Sequence, residues 1–426
     1  MTNLAIVGAG VGGCSAAYFA SRYLPDSKVT VYETEKRVGG RVLTFKYEEM
    51  KNELGAAFIN SSNKIVCQLI KETGLQVKKL EEISDIAVWN GNDIVFKSNQ
   101  STFYKILKLT TNYRLNVLKL LLTLKEVDKK IKELYKKEEN KPAEFWELFE
   151  SVDLDIYYKH RFNEILAEKG INQKFIDEII TPFTRIIYSQ NATLGGFAGL
   201  SALLGVYKKV VFSLKDGNDI LPKKLLELSN AKFEPDSKVK SLEKTSKGSF
   251  RVFTGKKTKI FDAVIISAPL EVANIDFKGI EKKKMQPRDY QKIYIRLMKG
   301  QLNLKYFNLN SSKLPSIILT TKQVDPITRF SISKSTKNDE HWVAVTSTEQ
   351  LNDGFLDDLF KNGKIVLNHT WNAAYPIFKP IQQISPTCLD KRLLYLNSIE
   401  SAVSSLESST FSALNSIKMI KKQLLS

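Results

Sequence analysis

The 426-residue chain has little of what metal and thiol chemistry require. It contains three cysteines and three histidines, which are scattered along the sequence (Cys14, Cys67, Cys388; His160, His341, His369). No C-x-x-C pair occurs, and neither set has the spacing of a zinc site. The sequence therefore predicts no metal centre, no redox-active thiol pair and no disulfide framework.

Long apolar runs are also missing. No run approaches the roughly 18 residues that a transmembrane helix needs, so we expect no membrane span. The first apolar strand begins within a few residues of Met1. A signal peptide is therefore not expected, and the chain as written is predicted to be cytoplasmic.

Acidic residues are scarce relative to basic ones. Sixty-four Lys and Arg face 46 Asp and Glu, which gives a net charge of +18. Such an excess can attract nucleic acid or an anionic membrane. No nucleic-acid motif accompanies it and the lysines are dispersed, so we predict no nucleic-acid partner. A solvated basic surface is the favoured interpretation, and peripheral membrane contact through basic helices is the alternative.

Helical patterns supply the candidate for such contact. Residues 111–138 alternate leucines with many lysines, and residues 143–180 form a second helical block rich in aromatics. An amphipathic helix usually packs its apolar face against its own domain. A helix of this composition can also lie on a membrane surface, so both interpretations stay open.

The richest stretch is the beginning of the chain. An apolar run, Leu4–Val7, leads into Gly8-Ala9-Gly10-Val11-Gly12-Gly13 and a helical pattern. A second apolar run ends in Glu33, about 20 residues past the glycines, where dinucleotide-binding folds carry a ribose-binding acid. A strand, a glycine turn and a helix in this order predict a dinucleotide site.

Each glycine of the G-x-G-x-x-G spacing has a physical role. Gly8 allows the tight turn, Gly10 lets a pyrophosphate approach the backbone, and Gly13 lets the helix pack on the strand. The helix N-terminus then offers unpaired N–H groups and a partial positive charge to the phosphates. Glu33 is expected to bind the ribose hydroxyls.

A second glycine pair decides between the dinucleotides. Gly39-Gly40-Arg41 follows Glu33 directly, an arrangement similar to the segment that runs along the pyrophosphate and ribityl chain in amine-oxidase-like flavoproteins. Glycines allow close backbone approach, and a guanidinium neutralises phosphate charge. An NAD domain would not need this segment, so the predicted cofactor is FAD.

The order of patterns along the chain predicts an α/β fold in which a Rossmann-type FAD-binding domain is interleaved with an α+β substrate-binding domain. We assign residues 1–80, 215–280 and 386–426 to the FAD-binding domain. Residues 81–214, which begin with a hairpin pattern at 86–96, are assigned to the helical part of the substrate domain. Residues 281–385 are assigned to its sheet.

Several separated segments carry a more specific resemblance. They are Thr181–Gln190, Asp216–Asn218, Trp371–Pro376 and Leu394–Ala402. In this order the chain resembles the prenylcysteine oxidase family, which are flavoprotein thioether oxidases of the amine-oxidase-like superfamily. Members of that family are usually lysosomal or secreted, in contrast to the start of this chain.

The resemblance implies further cofactor contacts. Val239 would hold adenine through backbone groups, and the strand ending at Ala268 would pass close to the cofactor. Asn397 and Glu400 belong to a terminal strand–turn–helix that closes the cofactor site. The helix N-terminus, at Leu406 and Glu407, would then point at the N1–C2=O edge of the flavin and stabilise negative charge there.

The resemblance also implies a reaction. The prenyl carbon next to sulfur would give a hydride to flavin N5, water would add, and the adduct would collapse to prenyl aldehyde and cysteine. Molecular oxygen would re-oxidise the flavin and yield hydrogen peroxide. A small apolar substrate of this kind needs a long apolar pocket. Candidate catalytic or pocket residues are Tyr188, Gln190, Trp371 and Tyr375, for each of which an ordinary core position is the alternative.

Two other functions are compatible with the sequence. One is a related flavin oxidase that acts on an amine, an isoprenoid or a polyene. The other is a non-catalytic, flavin-bound protein that interacts with a membrane surface, which the +18 charge and the basic helices would suit. Reduction of the bound flavin by a prenyl thioether would distinguish a thioether oxidase from both of these functions.

Overall fold

The fold was analysed in a computed structural model. It describes residues 1–79, 85–98, 113–205, 207, 210–281, 287–309, 314–335 and 339–425. The α-helices are α1 Val11–Tyr23, α2 Lys64–Glu72, α3 Arg114–Asn140, α4 Phe145–Glu150, α5 Asp155–Tyr158, α6 Phe162–Glu168, α7 Gln173–Phe175, α8 Thr181–Tyr188, α9 Gly196–Leu204, α10 Ile220–Leu228, α11 Leu270–Ala273, α12 Gly354–Leu359 and α13 Leu406–Leu425. No helix among these residues is long and apolar enough to cross a membrane.

The strands fall into five sheets. In chain order they are β1 Thr2–Val7, β2 Ser27–Tyr32, β3 Thr44–Tyr47, β4 Met50–Glu53, β5 Ile59–Asn60, β6 Val77–Lys79, β7 Ile86–Trp89, β8 Ile94–Ser98, β9 Val211–Leu214, β10 Lys232–Glu234, β11 Ser241–Lys244, β12 Phe250–Phe253, β13 Thr258–Phe261, β14 Ala263–Ile266, β15 Asp276–Lys278, β16 Tyr290–Leu302, β17 Ile317–Thr320, β18 Ile327–Lys334, β19 His341–Ser347, β20 Phe360–Pro376, β21 Cys388–Asp390 and β22 Leu393–Tyr395.

The nucleotide sheet has the strand order β10-β2-β1-β14-β22-β21. Its pairings are parallel except at the β21–β22 edge. Helices cover its faces, with α1 packed against α10 and α13, so β1 and β14 are buried and read as continuous apolar runs. Because the strands come from three distant parts of the chain, the predicted interleaved α/β architecture is confirmed.

The second large sheet has the order β20-β16-β19-β18-β17-β7-β8. Only the β17–β7 pair is parallel among these strands. The hairpin predicted at 86–96 is confirmed, since β7 and β8 pair antiparallel with Trp89 opposite Ile94. Within the stretch assigned to the nucleotide domain, β11, β12 and β13 form a further sheet with β15, and this sheet shares a hydrophobic core with β1 and β14.

The helical block, α3 to α9, lies between the two parts of the substrate sheet in sequence. The helix predicted over 111–138 is α3, and residues 111 and 112 lie outside the described residues. The block predicted over 143–180 is divided into four short α-helices and a π-helical turn, Ile176–Ile180. Left-handed backbone at Asp153 and Gly170 ends two of its turns.

One buried carboxylate joins the nucleotide domain to the helical block. Glu407, in the first turn of α13, accepts hydrogen bonds from the N–H groups of Ile65 (2.9 Å) and Val66 (3.0 Å) at the start of α2. It also accepts one from the hydroxyl of Tyr135 in α3 (2.6 Å). Burial raises the pKa of Glu407, and these donors only partly offset the effect.

We expect Glu407→Ala to lower the stability of the folded chain by roughly 3 kcal/mol, because it leaves buried donors on α2 and α3 without an acceptor. Thermal unfolding followed by circular dichroism measures the change. The control is Glu139→Ala, which removes a half-exposed partner of Lys64 and is expected to change little. Equal melting temperatures for the two variants would contradict a joining role for Glu407.

Candidate active site

The main cavity lies where the nucleotide sheet, the substrate sheet and the helical block meet. Its volume is about 1310 Å³. Ligand pockets usually measure roughly 300–1,000 Å³, so the space exceeds what one ordinary ligand needs. Its lining includes the glycine turn, Glu33, the start of α13 and residues of α3, α8 and α9.

Two glycine segments run side by side along the cavity. Gly39 donates its N–H to the carbonyl of Ala9 (2.8 Å), and a Cβ on Gly40 would lie 3.0 Å from the Cα of Gly10. A Cβ on Gly13 would lie 1.9 Å from the carbonyl oxygen of Gly8, so α1 can pack on this turn only without a side chain there. The two segments form a backbone cradle of the kind that a pyrophosphate requires.

Most of the predicted glycines face the cavity. Gly8, Gly10, Gly12, Gly39 and Gly40 line it. Gly13 and Ala9 do not, because Gly13 packs α1 and Ala9 supplies backbone groups that hold the turn.

Glu33 lies at the carboxyl end of β2, at the edge of the cavity. Its Oε2 accepts the N–H of Ala9 (2.7 Å), and its Oε1 accepts the N–H of Glu35 (3.0 Å). These bonds fix the orientation of the carboxylate beside the glycine turn. An adenosine ribose at the cradle would meet an acceptor already in place, which fits the predicted role.

The guanidinium of Arg41 is positioned by an ion pair with an acidic side chain. This group pairs with Glu400 and donates to the carbonyl of Ala374 (3.1 Å). Glu400 also accepts from the hydroxyls of Tyr290 (3.0 Å) and Ser404 (3.1 Å). Although burial opposes ionisation, the guanidinium groups of Arg41 and of Arg288, 3.9 Å away, hold the pKa of Glu400 below its usual value.

This arrangement changes the role expected for Glu400. Its side chain is 3% exposed and does not line the cavity, whereas Arg41 does. The structure therefore places Glu400 behind Arg41, where it positions the guanidinium rather than touching a ligand. Arg41 remains free to face the cradle, where its charge suits a pyrophosphate.

The remaining predicted cofactor residues all line the cavity: Val239, Ala268, Asn397, Leu406 and Glu407. The start of α13 thus points its first turn at the cavity, as the resemblance implies. The carboxylate of Glu407 is already engaged by α2 and Tyr135, so its side chain serves the fold.

Three of the four candidate catalytic residues line the cavity, and two of them are in contact. Tyr188 of α8 and Tyr375 of β20 line the cavity with their rings nearly perpendicular and their centroids 5.3 Å apart. Trp371 also lines it and donates to the carbonyl of Leu54 (2.6 Å). The ring of Trp371 faces the guanidinium of Arg37 at 5.7 Å and the imidazole of His369 at 4.6 Å.

Gln190 is placed differently. Its Nε2 donates to the carbonyl of Pro376 (2.9 Å), and its Oε1 accepts the N–H of Phe378 (2.9 Å). It is not part of the cavity lining. Both ends of the amide are used to fix the chain after β20 against the end of α8, so the position of Gln190 fits a structural role.

The tyrosines Tyr188 and Tyr375, His369 and the acids that line the cavity are held uncharged or paired. Burial raises the pKa values of Tyr188 and Tyr375, and for Tyr375 the nearby Arg329 and Arg41 only partly oppose the rise. Burial and the cation of Arg37 lower the pKa of His369. Each carboxylate among the described cavity-lining residues already has a hydrogen-bond or ion-pair partner. The site therefore offers little general acid–base chemistry of its own.

Arg329, which is not among the residues predicted from the sequence, extends from β18 into the cavity. Its Nη2 donates to the hydroxyl of Thr346 (3.1 Å), its Nε is buried without a partner, and no acid of the described residues forms an ion pair with it. Burial lowers the pKa of this guanidinium. One arginine in an alternating strand carries no local signal, so only the assembled sheet reveals it.

The apolar wall was predicted only in general terms. It is built mainly from helices of the block and from strands of the substrate sheet. The residues concerned are Phe149, Phe183, Ile186, Ile187, Phe197, Leu204, Ile293, Ile295 and Ile317.

Comparisons with known proteins identify the family. A model of the NAD(P)-binding Rossmann-like domain matches residues 6–73, and the prenylcysteine lyase family model matches residues 96–426. Prenylcysteine oxidase 1 of Bos taurus is 26% identical and aligns over 97% of this chain and 87% of its own length. Farnesylcysteine lyase of Arabidopsis thaliana is 25% identical and aligns over 98% of this chain and 88% of its own length.

Solved structures show the same fold at low identity. Cyclohexylamine oxidase of Brevibacterium oxydans has a TM-score of 0.67, with 13% identity over 100% of both chains. A putative protoporphyrinogen oxidase of Exiguobacterium has a TM-score of 0.65, with 15% identity over 99% of both. These likenesses establish the amine-oxidase-like fold alone.

The cradle, Glu33 and Arg41 supply the backbone donors, the ribose acceptor and the cation that a dinucleotide requires, and the cavity extends beyond them. In this fold the dinucleotide is FAD. The family match covers more than half of the chain. The chain belongs to the prenylcysteine lyase family, and it is an FAD-dependent oxidoreductase.

Proposed function

We propose that this chain oxidises the thioether of an S-farnesyl or S-geranylgeranyl cysteine. The thioether, oxygen and water would give a prenyl aldehyde, free cysteine and hydrogen peroxide. The observation that carries the proposal is the apolar chamber, which continues from the cofactor cradle between α8, α9 and the substrate sheet. The names of the relatives, prenylcysteine oxidase and farnesylcysteine lyase, support the same substrate class.

The chamber suits an isoprenoid because apolar binding depends on the surface area that is buried and not on directional hydrogen bonds. Its wall consists largely of phenylalanine, isoleucine and leucine side chains. Each methylene buried against such a wall contributes about 0.8 kcal/mol. A branched prenyl chain would therefore bind along its length without specific hydrogen bonds.

FAD, when bound, supplies the hydride acceptor for this oxidation. The residues of the chain hold and orient the cofactor and the substrate. The glycine cradle and Arg41 fix the cofactor, and Tyr188 with Tyr375 forms an aromatic wall that stays neutral because burial raises both pKa values. No residue needs to remove a proton from the reacting carbon, since sulfur and the allylic double bond stabilise the cation that hydride loss leaves.

The polar end of the substrate also needs a partner. Arg329 is a partly buried cation without a counter-ion among the described residues, and its buried Nε–H lacks an acceptor, which is costly. We assign the substrate carboxylate to this guanidinium, which can bind it through two parallel hydrogen bonds. The prenyl chain would then lie against the helices while the amino acid lies at the sheet.

Farnesylcysteine is expected to reduce the bound flavin. Under anaerobic conditions, the absorbance of the oxidised flavin should disappear on mixing, and farnesal and free cysteine should form in equal amounts. Simple amines and farnesol serve as controls and should leave the flavin oxidised. A flavin that amines reduce and farnesylcysteine does not would instead favour the amine-oxidase alternative.

We expect the limiting rate of flavin reduction to stay constant between about pH 7 and pH 9. His369 is neutral throughout this range because its pKa lies below the ordinary value, and the tyrosines are protonated because their pKa values lie above it. Stopped-flow absorbance at saturating farnesylcysteine measures the rate. A rate that rises tenfold per pH unit would contradict thioether oxidation, since amine oxidation requires the neutral amine.

Arg329→Met should lower kcat/KM for farnesylcysteine by roughly tenfold to a hundredfold, the value of one or two charge-assisted hydrogen bonds. The effect should appear mainly in KM. For S-farnesylcysteamine, which lacks the carboxylate, the same substitution should lower kcat/KM only slightly. The Arg329→Lys variant should retain part of the preference for the substrate that carries the carboxylate. An equal loss on both substrates would assign Arg329 to the fold or the cofactor instead.

A further inference from the structure

One face of α3 exposes large apolar side chains. Leu115, Leu118 and Leu122 are 72%, 54% and 59% exposed. Their spacing of three and four residues places them on one face of the helix, and we call them the leucine stripe. The opposite face is already apolar and fully packed, with Val117, Leu120, Leu124 and Val127 all buried. The stripe is therefore a second apolar surface that the fold of the described residues does not cover.

The same outer face continues into positive charge. Lys125, Lys129 and Lys136 follow the stripe at helical spacing and are exposed. None of them forms an ion pair in the part of the chain that the structure describes. A short apolar stripe followed by unpaired lysines matches the chemistry of an anionic lipid surface, which takes apolar groups below its headgroups and cations at them.

The helix also borders the cavity. Asp128, Ile131, Lys132 and Tyr135 line it from α3. Lys64 of α2, which pairs with Glu139 of α3, lines it as well, and the side chains of Lys132 and Lys64 are 65% and 50% exposed. The cavity thus opens to solvent beside α3. Leu122 and Ile131 are nine positions apart in the helix, which corresponds to about 14 Å along its axis.

We propose that the outer face of α3 docks on an anionic lipid bilayer, with the leucine stripe inserted below the headgroups and the lysines bound to them. Docking in this way would hold the opening beside Lys132 at the membrane surface, where apolar substrates partition. The proposal does not depend on thioether chemistry.

A second copy of the chain is a poorer occupant of this face. A two-fold dimer through the stripe would bring two sets of unpaired lysines together, and a net charge of +18 adds to the repulsion. An anionic bilayer has the opposite charge, so the stripe and the lysines act in the same direction.

Vesicle co-sedimentation of the full-length, FAD-loaded chain tests the proposal. The probes are phosphatidylcholine vesicles with and without phosphatidylserine. We expect binding that requires phosphatidylserine and weakens with salt, and at least a tenfold loss of affinity in the variant L115S/L118S/L122S. The variant K125A/K129A/K136A should lose the response to phosphatidylserine.

A matched control carries Phe253→Ser and Ile260→Ser. These residues are 39% and 55% exposed and lie on β12 and β13, which belong to the sheet with β11 and β15 and not to α3. Their replacement should leave vesicle binding unchanged. Flavin content and melting temperature show that each variant is folded. Flavin reduction by farnesylcysteine in detergent, measured in parallel, reports on the proposed function separately.

Three outcomes would overturn the docking proposal. One is an unmodified chain that does not bind phosphatidylserine vesicles. Another is a stripe variant that binds them as well as the control does. The third is a change of oligomeric state in the stripe variant without vesicles, detected by analytical ultracentrifugation, which would make the stripe an interface between copies. A failure of flavin reduction with intact vesicle binding would overturn only the thioether function.

Discussion

The ion pair between Arg41 and Glu400 connects the parts of the chain that build the site. Arg41 ends the second glycine segment, and Glu400 lies in the 3₁₀ turn, Leu396–Ser401, between β22 and α13. Tyr290 and Arg288 reach the same carboxylate from the start of the substrate sheet. Glu400 is buried while Arg41 is partly exposed, and removing the partner of a buried charge typically costs up to roughly 3–5 kcal/mol. The cradle, the C-terminal turn and the substrate sheet therefore share one electrostatic centre.

How much of this was predictable depends on the range of each interaction. The turn from Gly8 to Gly13, Glu33 and the helix after β22 were predictable because their roles follow from nearby residues and the geometry of a strand, a turn and a helix. Glu400 was expected at the cofactor, yet it acts on Arg41, more than 350 positions away in sequence. Gln190 and Arg329 show the same limit, since their partners come from other strands.

Helical periodicity shows a second limit. The leucines of α3 predict an amphipathic helix, but the sequence does not show which leucines are buried. The structure separates them, since Leu124 is fully buried while Leu118 and Leu122 face outward. The block after α3 reads as one long helical pattern, and left-handed positions such as Asp153 interrupt it. Aspartate is enriched in that conformation but adopts it only in a minority of cases, so the residue type alone does not mark the break.

The charges around the cavity restrict how an amphiphilic substrate can bind under the proposed function. The tyrosine wall is neutral and each described cavity-lining acid is paired, whereas Arg329 is a partly buried cation of the chamber without a counter-ion among the described residues. The anionic head of such a substrate therefore has one favourable position, at Arg329 on the sheet. Its apolar tail would pack against the helical part of the wall. That wall belongs to the helical block whose outer surface carries the leucine stripe. Under the two proposals, the helical block would contact the apolar tail of the substrate on its inner side and the lipid on its outer side, while Arg329 on the sheet would hold the carboxylate.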